Sequence, residues 1–354
     1  MKVGRVLKGI GLVFAGGGGK GAYEIGVWKY LHETGLDQYV RAVSGTSVGA
    51  LNAALFVGSS YEVAENLWLN ISQDKILSPK EISAEDIMKW LAVNGFAIAA
   101  PLTKVFGQVT SGILTGAEKI GKMMLASLKS DYMFSRSGIV EMISDGLNFN
   151  LLQTSEIPCY ATCLRCPELE IERFKLNEYS DKDITSLLLA SSAIPVIFPN
   201  EEFQGRKYCD GGIPVVGDNI PVKPVYDIGV ENIMVVHLSQ ETVIDKEKFP
   251  DARIIEIVPR EDLGNALKGT LDFSPEGVSY RLQLGYEDAK RVIQPMIDMI
   301  VMNAANQQMF RAAQEHNKRF EEKRQSLSER ESEIKYEMEK DGFNNLFAEL
   351  IKEK

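Results

Sequence analysis

The chain has 354 residues, 45% of them hydrophobic, and a formal net charge of −10. It can bury a substantial core, in one large domain or two small ones. The acidic balance argues against a general nucleic-acid binder, which needs a basic footprint, and no apolar stretch runs long enough to span a membrane.

Lys2, Arg5 and Lys8 precede an apolar segment in the manner of a signal peptide, but that segment is too short. Residues 9–15 (GIGLVFA) read instead as a first buried strand. Gly16, Gly17, Gly18, Gly19, Lys20 and Gly21 follow, and then 22–31, an amphipathic helix with Ile25, Trp28 and Leu31 on one face. A glycine-rich loop between strand and helix aims several backbone N–H groups at one anion. A nucleotide phosphate, a dinucleotide pyrophosphate and the oxyanion of an acyl intermediate all fit that description. The P-loop pattern fails because Gly21, not Ser or Thr, follows Lys20. Gly16, Gly18 and Gly21 do match G-x-G-x-x-G, but that pattern wants an acid at the end of the next strand. Asp37 precedes that strand, so the dinucleotide reading is disfavoured.

The apolar run 40–43 leads into Gly45-Thr46-Ser47-Val48-Gly49, and good helix formers follow from Ala50 to Leu55. Strand, sharp turn and helix with a serine at the apex is the context of a nucleophile elbow. Both glycines remove β-carbons that would clash as the chain reverses, and the new helix points free N–H groups at the site. The stretch from about Trp90 to Leu128 then breaks the alternating rhythm: glycine-rich, with Lys104, Lys119, Lys122 and, just beyond it, Lys129 against Glu118 alone. Leu102, Val105, Phe106, Val109 and Ile113 recur at helical spacing. An insertion over about 85–135 is expected, either packed on the sheet or lying on a bilayer at the mouth of the site.

Residues 159–164, 233–238 and 254–258 are further strand candidates. Cys159, Cys163, Cys166 and Cys209 include one C-x-x-C but no second, so buried reduced thiols are expected rather than a metal site. Asp210-Gly211-Gly212 supplies a carboxylate beside two glycines. A serine nucleophile needs a base, and the chain has only His32, His237 and His316. His32 and His316 lie in polar contexts. His237, ending an apolar run, is the one histidine with a plausible catalytic placement, though a strand-end histidine with a satisfied hydrogen bond is the commoner case. Histidine poverty favours a Ser–Asp dyad. After Pro259 the pattern turns helical: Ser274-Pro275-Glu276 reads as a capped helix start. Phe320, Leu327 and Ile334 recur by sevens in a charged, solvated stretch, and Phe343, Leu346, Phe347, Leu350 and Ile351 form a last amphipathic segment. There are no internal repeats.

These motifs, in this order, resemble the patatin-like phospholipase family. Gly16 to Gly21 is similar to its oxyanion-hole motif, Gly45 to Gly49 to its serine elbow, and Asp210-Gly211-Gly212 to its dyad motif. Ala190-Ser191-Ser192-Ala193-Ile194-Pro195 through Phe198-Pro199 is similar to a stretch found before that aspartate. The resemblance implies a doubly wound, three-layer α/β/α fold with a mainly parallel sheet, here with a helical insertion and a helical C-terminal extension. The expected domains are a catalytic one at 1–260 and a helical region at 261–354. It implies metal-independent hydrolysis of lipid acyl esters, with Ser47 as nucleophile and Asp210 as base, and no cofactor. The oxyanion would sit on N–H groups of the loop and of Val48. Membrane or micellar lipid is the expected partner and the cytoplasm, with peripheral membrane association, the expected location. The alternative is a lipid-binding or membrane-remodelling protein on the same fold without turnover.

Overall fold

Parallel strands buried on both faces read as continuous apolar runs, and this chain builds its sheet from such runs. The computed structural model describes residues 7–71, 73–76, 135–195 and 197–340, together with 342 and 351. Strand β1 (Leu7–Phe14) leads through a short 3₁₀ turn (Gly18–Gly21) into helix α1 (Ala22–Glu33). Strand β2 (Val40–Thr46) leads directly into helix α2 (Val48–Gly58), and α3 (Tyr61–Leu69) follows. After helix α4 (Ser137–Gly146) come β3 (Cys159–Cys166), β4 (Glu170–Lys175) and helix α5 (Asp181–Ser191). Short strands β5 (Glu201–Phe203) and β6 (Arg206–Asp210) precede helix α6 (Val222–Asp227), β7 (Val230–Val236) and β8 (Arg253–Ile257). Helix α7 (Pro275–Lys340) ends the described fold.

The eight strands form one sheet in the order β5-β6-β3-β2-β1-β7-β8, with β4 paired to β3. Pairings among β3, β2, β1, β7 and β8 are parallel, whereas β4, β5 and β6 join antiparallel. The fold is the doubly wound α/β architecture. Alternate residues feed opposite faces: Val13, Ala42, Ile233 and Val235 pack with Val222 and Val225 of α6. Central β1 has β2 on one side and β7 on the other, so the strand order reverses there. Ligand crevices in such sheets open at the carboxyl ends of the strands beside that reversal.

The chain divides into two compact units, 1–292 and 293–354. In the first, Ser274 caps the start of α7, accepting the Gly277 N–H at 3.2 Å, as its sequence context suggests. The opening turns of α7 cover α1, where Tyr23 donates to Asp288 at 3.0 Å. That cover corrects the amphipathic reading of α1: Ala22 through Trp28 are all buried, because the helix packs on α2 and α3 on one side and under the start of α7 on the other. In the second unit every residue from 298 to 340 is exposed, including Phe320, Leu327 and Ile334. The insertion expected at 85–135, with its Leu102–Ile113 stripe and lysines, lies outside the described residues but for its last position, and so do Phe343, Leu346, Phe347 and Leu350. Among the described residues no helix is long and apolar enough to cross a membrane.

Candidate active site

Strand β3 sets where the two motifs meet. It pairs Thr46 with Thr162 and Asp210 with Cys163, so consecutive residues of one strand align the ends of β2 and β6. Ser47 follows directly, between the strand and α2, with φ 57° and ψ −128°. A non-glycine residue held there costs on the order of 1–3 kcal/mol and persists only where its surroundings over-determine it. The turn is tight enough that a β-carbon on Gly45 would lie 2.1 Å from the Gly49 carbonyl oxygen. Ala50 and Leu51 both direct their N–H groups to the Ser47 carbonyl, at 2.9 and 3.3 Å.

Ser47 and Asp210 line one cavity, with the Ser47 hydroxyl near enough to the Asp210 carboxylate to favour its charged form. Ser47 and Asp210 are each only 5% exposed. Asp210 also accepts the Gly212 N–H at 2.7 Å, and its own N–H donates to the Ala193 carbonyl at 2.9 Å. Burial pushes the Asp210 carboxyl up to about 6, against the opposing pull of the Ser47 and Gly212 hydrogen bonds. A carboxylate with that affinity can accept a proton near neutral pH, which suits a general base.

The glycine loop forms the facing wall. Gly16, Gly17 and Gly18 line one cavity with Ser47, Asp210, Gly212 and Asn219. Asn219 ties the loop down: its carbonyl accepts the Gly16 N–H at 3.1 Å and its amide donates to the Gly16 carbonyl at 3.2 Å. Gly18 has φ +57°, and the Thr270 carbonyl lies 2.2 Å from where its β-carbon would be, so backbone freedom and close approach both require glycine. Gly19, Lys20 and Gly21 line neither cavity at Ser47. Lys20 turns toward Gly269, and burial lowers its affinity for its proton, partly offset by Asp262. Gly21 packs on Val48 and Trp68, and its carbonyl accepts the Asn52 amide at 3.1 Å.

A second, apolar pocket opens at Ser47, walled by Val48, Leu51, Trp68, Met142, Phe198 and Phe273. Neither cavity is lined by a histidine among the described residues. His237, the alternative base, is wholly buried, with its Nε2 3.0 Å from the Glu256 carboxylate on β8. Burial pushes its imidazole below the usual range. His32 is exposed, 2.6 Å from Asp37, and His316 lies on the exposed part of α7. All four cysteines are buried. A spacing of three along a strand sends Cys163 and Cys166 to opposite faces: Cys163 meets the Leu187 carbonyl, Cys166 the Cys209 sulfur.

The residues missed in the sequence are those that hold the motifs. Asn219 and Ser191 act on main-chain groups of the loop and the elbow. The 264–273 segment covers the loop and is clamped by Arg281, which donates to the Asp272 and Lys268 carbonyls, each at 2.8 Å. Only Ser191 carried a signal, as part of the stretch running to Pro199.

Residues 12–226 match the family model described as patatin-like phospholipase. Among solved structures, the chain is similar to VipD from Legionella pneumophila, with 16% identity over 83% of this chain and 71% of that one, at a TM-score of 0.49. It is also similar to ExoU, a type III effector of Pseudomonas aeruginosa, with 17% identity, covering 82% of this chain and 54% of that one, at a TM-score of 0.39. A third is human GIVD cytosolic phospholipase A2, with 11% identity over 84% of this chain and 59% of that one, at a TM-score of 0.34. The chain thus spans little more than half of the latter two. No curated protein matches it.

Proposed function

The chain belongs to the patatin-like phospholipase family, and from that premise we propose that it is a lipid acyl hydrolase working through an acyl-serine intermediate. The observation that carries this reading is that Ser47 and Asp210, both buried, line one cavity together, and that Ser47 also opens onto an apolar pocket. Asp210 takes the Ser47 proton as the oxygen attacks an ester carbonyl, and the developing oxyanion is met by main-chain N–H groups. The Gly16 and Lys20 N–H groups are spent within the fold, on the Asn219 and Gly17 carbonyls. Gly17, Gly18 and Val48 are therefore the donors assigned to the oxyanion. One such donor is worth roughly 3 kcal/mol of transition-state stabilisation. Collapse of the tetrahedral intermediate breaks the ester C–O bond and expels the lipid alcohol, which takes the proton from Asp210. Water then attacks the acyl-serine with Asp210 again as base, and Ser47 regains its proton as the fatty acid leaves.

The apolar pocket suits a fatty-acyl chain, since its walls offer burial and few competing hydrogen bonds. The ester of a membrane lipid reaches such a site when the enzyme associates peripherally with the bilayer. The catalytic domain is assigned to 1–260, with the helical region 261–354 contributing the segment over the glycine loop. Mass spectrometry of products from mixed-lipid vesicles tests the reading. Native protein should release fatty acid and lyso-lipid, and Ser47→Ala should release neither. Lipid binding without product in the native protein would support the non-catalytic alternative.

A further inference from the structure

The strained elbow needs something to hold it, and although α2 takes the Ser47 carbonyl, neither β2 nor α2 takes its N–H. Its main-chain N–H falls between the last strand residue, Thr46, and the first helical one, Val48. A buried N–H in that position must find an acceptor. It finds the Ser191 hydroxyl, at 2.9 Å. Ser191 is wholly buried at the end of α5, and its own hydroxyl proton goes to the Thr162 carbonyl at 2.7 Å. With that proton committed to β3, a lone pair of Oγ is left facing Ser47. Two residues further on, the Ala193 carbonyl accepts the Asp210 N–H at 2.9 Å. One three-residue stretch thus fixes the main chain of both members of the dyad.

We propose that Ser191 is a positioning residue for the reaction. Its hydroxyl, oriented by Thr162, holds the Ser47 backbone in the geometry that keeps the Ser47 side chain on Asp210. This rests on the reading of Ser47 as nucleophile and adds a consequence for the oxyanion. The nucleophile's own N–H is already spent, so the donors must come from the next residue, Val48, and from the glycine loop.

The test uses the full chain, a soluble short-chain nitrophenyl ester, and thermal unfolding of each variant. Ser191→Ala and the near-isosteric Ser191→Cys, which substitutes a weak acceptor, should each lower kcat on the order of 10- to 100-fold with KM within about twofold. Ser191→Thr, which keeps the hydroxyl, should recover most of that loss. If Ser191→Ala fails to fold, Ser191→Cys decides alone. A folded Ala or Cys variant with near-native kcat overturns the proposal. So does a loss that follows the unfolding temperature and is not restored by Thr. A fluorophosphonate that leaves Ser47 of the native protein unlabelled defeats the parent reading separately, before any Ser191 variant is compared.

Discussion

At the front of α2 the Asp210 carboxyl is buried against the Ser47 hydroxyl and the Gly212 N–H. About one turn further on, the Glu24 carboxyl is buried against the Asn52 amide, at 2.8 Å. Desolvation is the largest influence on both and raises both. Their surroundings differ. Asp210 borders a cavity a substrate can enter and faces the Ser47 hydroxyl, whose proton it would take in the proposed reaction. Glu24 lies in a sealed knot in which Asn52 also donates to the Gly21 carbonyl and accepts the Trp68 indole N–H at 3.0 Å. Burial alone therefore does not make a base. Access and a facing hydroxyl are what fit Asp210 to the proposed role of base, while Glu24 joins the glycine loop to α2.

Asp210→Asn should break the comparison at its front side. Turnover should fall at least about 1,000-fold, and adding Ser47→Ala should cost little more, because residues acting as a unit are non-additive. The same variant should unfold at higher temperature at neutral pH. The native state binds the Asp210 proton more tightly than the unfolded chain does. That site therefore favours folding below pH about 4, and the contribution fades as the pH rises through about 6. A shift of that size is a cost of roughly 3 kcal/mol in native protein at pH 8, which the uncharged amide avoids in large part.

Gly18→Val comes next in size. A branched side chain meeting the Thr270 carbonyl at a positive φ should distort the donor loop and lower kcat on the order of 100-fold, measured on a soluble ester. The smallest effects belong to the knot behind the helix. Asn52→Leu leaves the Trp68 N–H and the Gly21 carbonyl without their partner, and should cost about 2–3 kcal/mol in denaturant unfolding. Glu24→Gln, an isostere of the neutral acid, should change stability by less than about 1 kcal/mol at pH 5. A large loss in Glu24→Gln at that pH would show that the charged form is what the knot holds.

What the sequence made legible divides along the same line. Runs such as 9–15 and 233–236 declared their strands because both faces of a parallel sheet are buried, and the elbow and Asp-Gly-Gly motifs declared themselves through glycine spacing. β6 was not legible: Arg206–Asp210 is short and polar at one end, and joins the sheet only through its antiparallel pairing with β3. Nor was the all-round burial of α1, whose outer face is covered by a helix beginning more than 240 residues later. Ser191 and Asn219 act through main-chain partners 144 and 203 residues away, and a hydrogen bond to a backbone group leaves no periodicity behind.

The most direct measurement is the rate of fluorophosphonate labelling as a function of pH, with the modified residue located by mass spectrometry. Ser47 should carry the label. Its rate should rise with pH through an apparent pKa of about 6, following ionisation of Asp210, and in Asp210→Asn the rise should vanish along with most of the rate. Labelling elsewhere, or labelling of Ser47 at a rate indifferent to Asp210, would contradict the dyad.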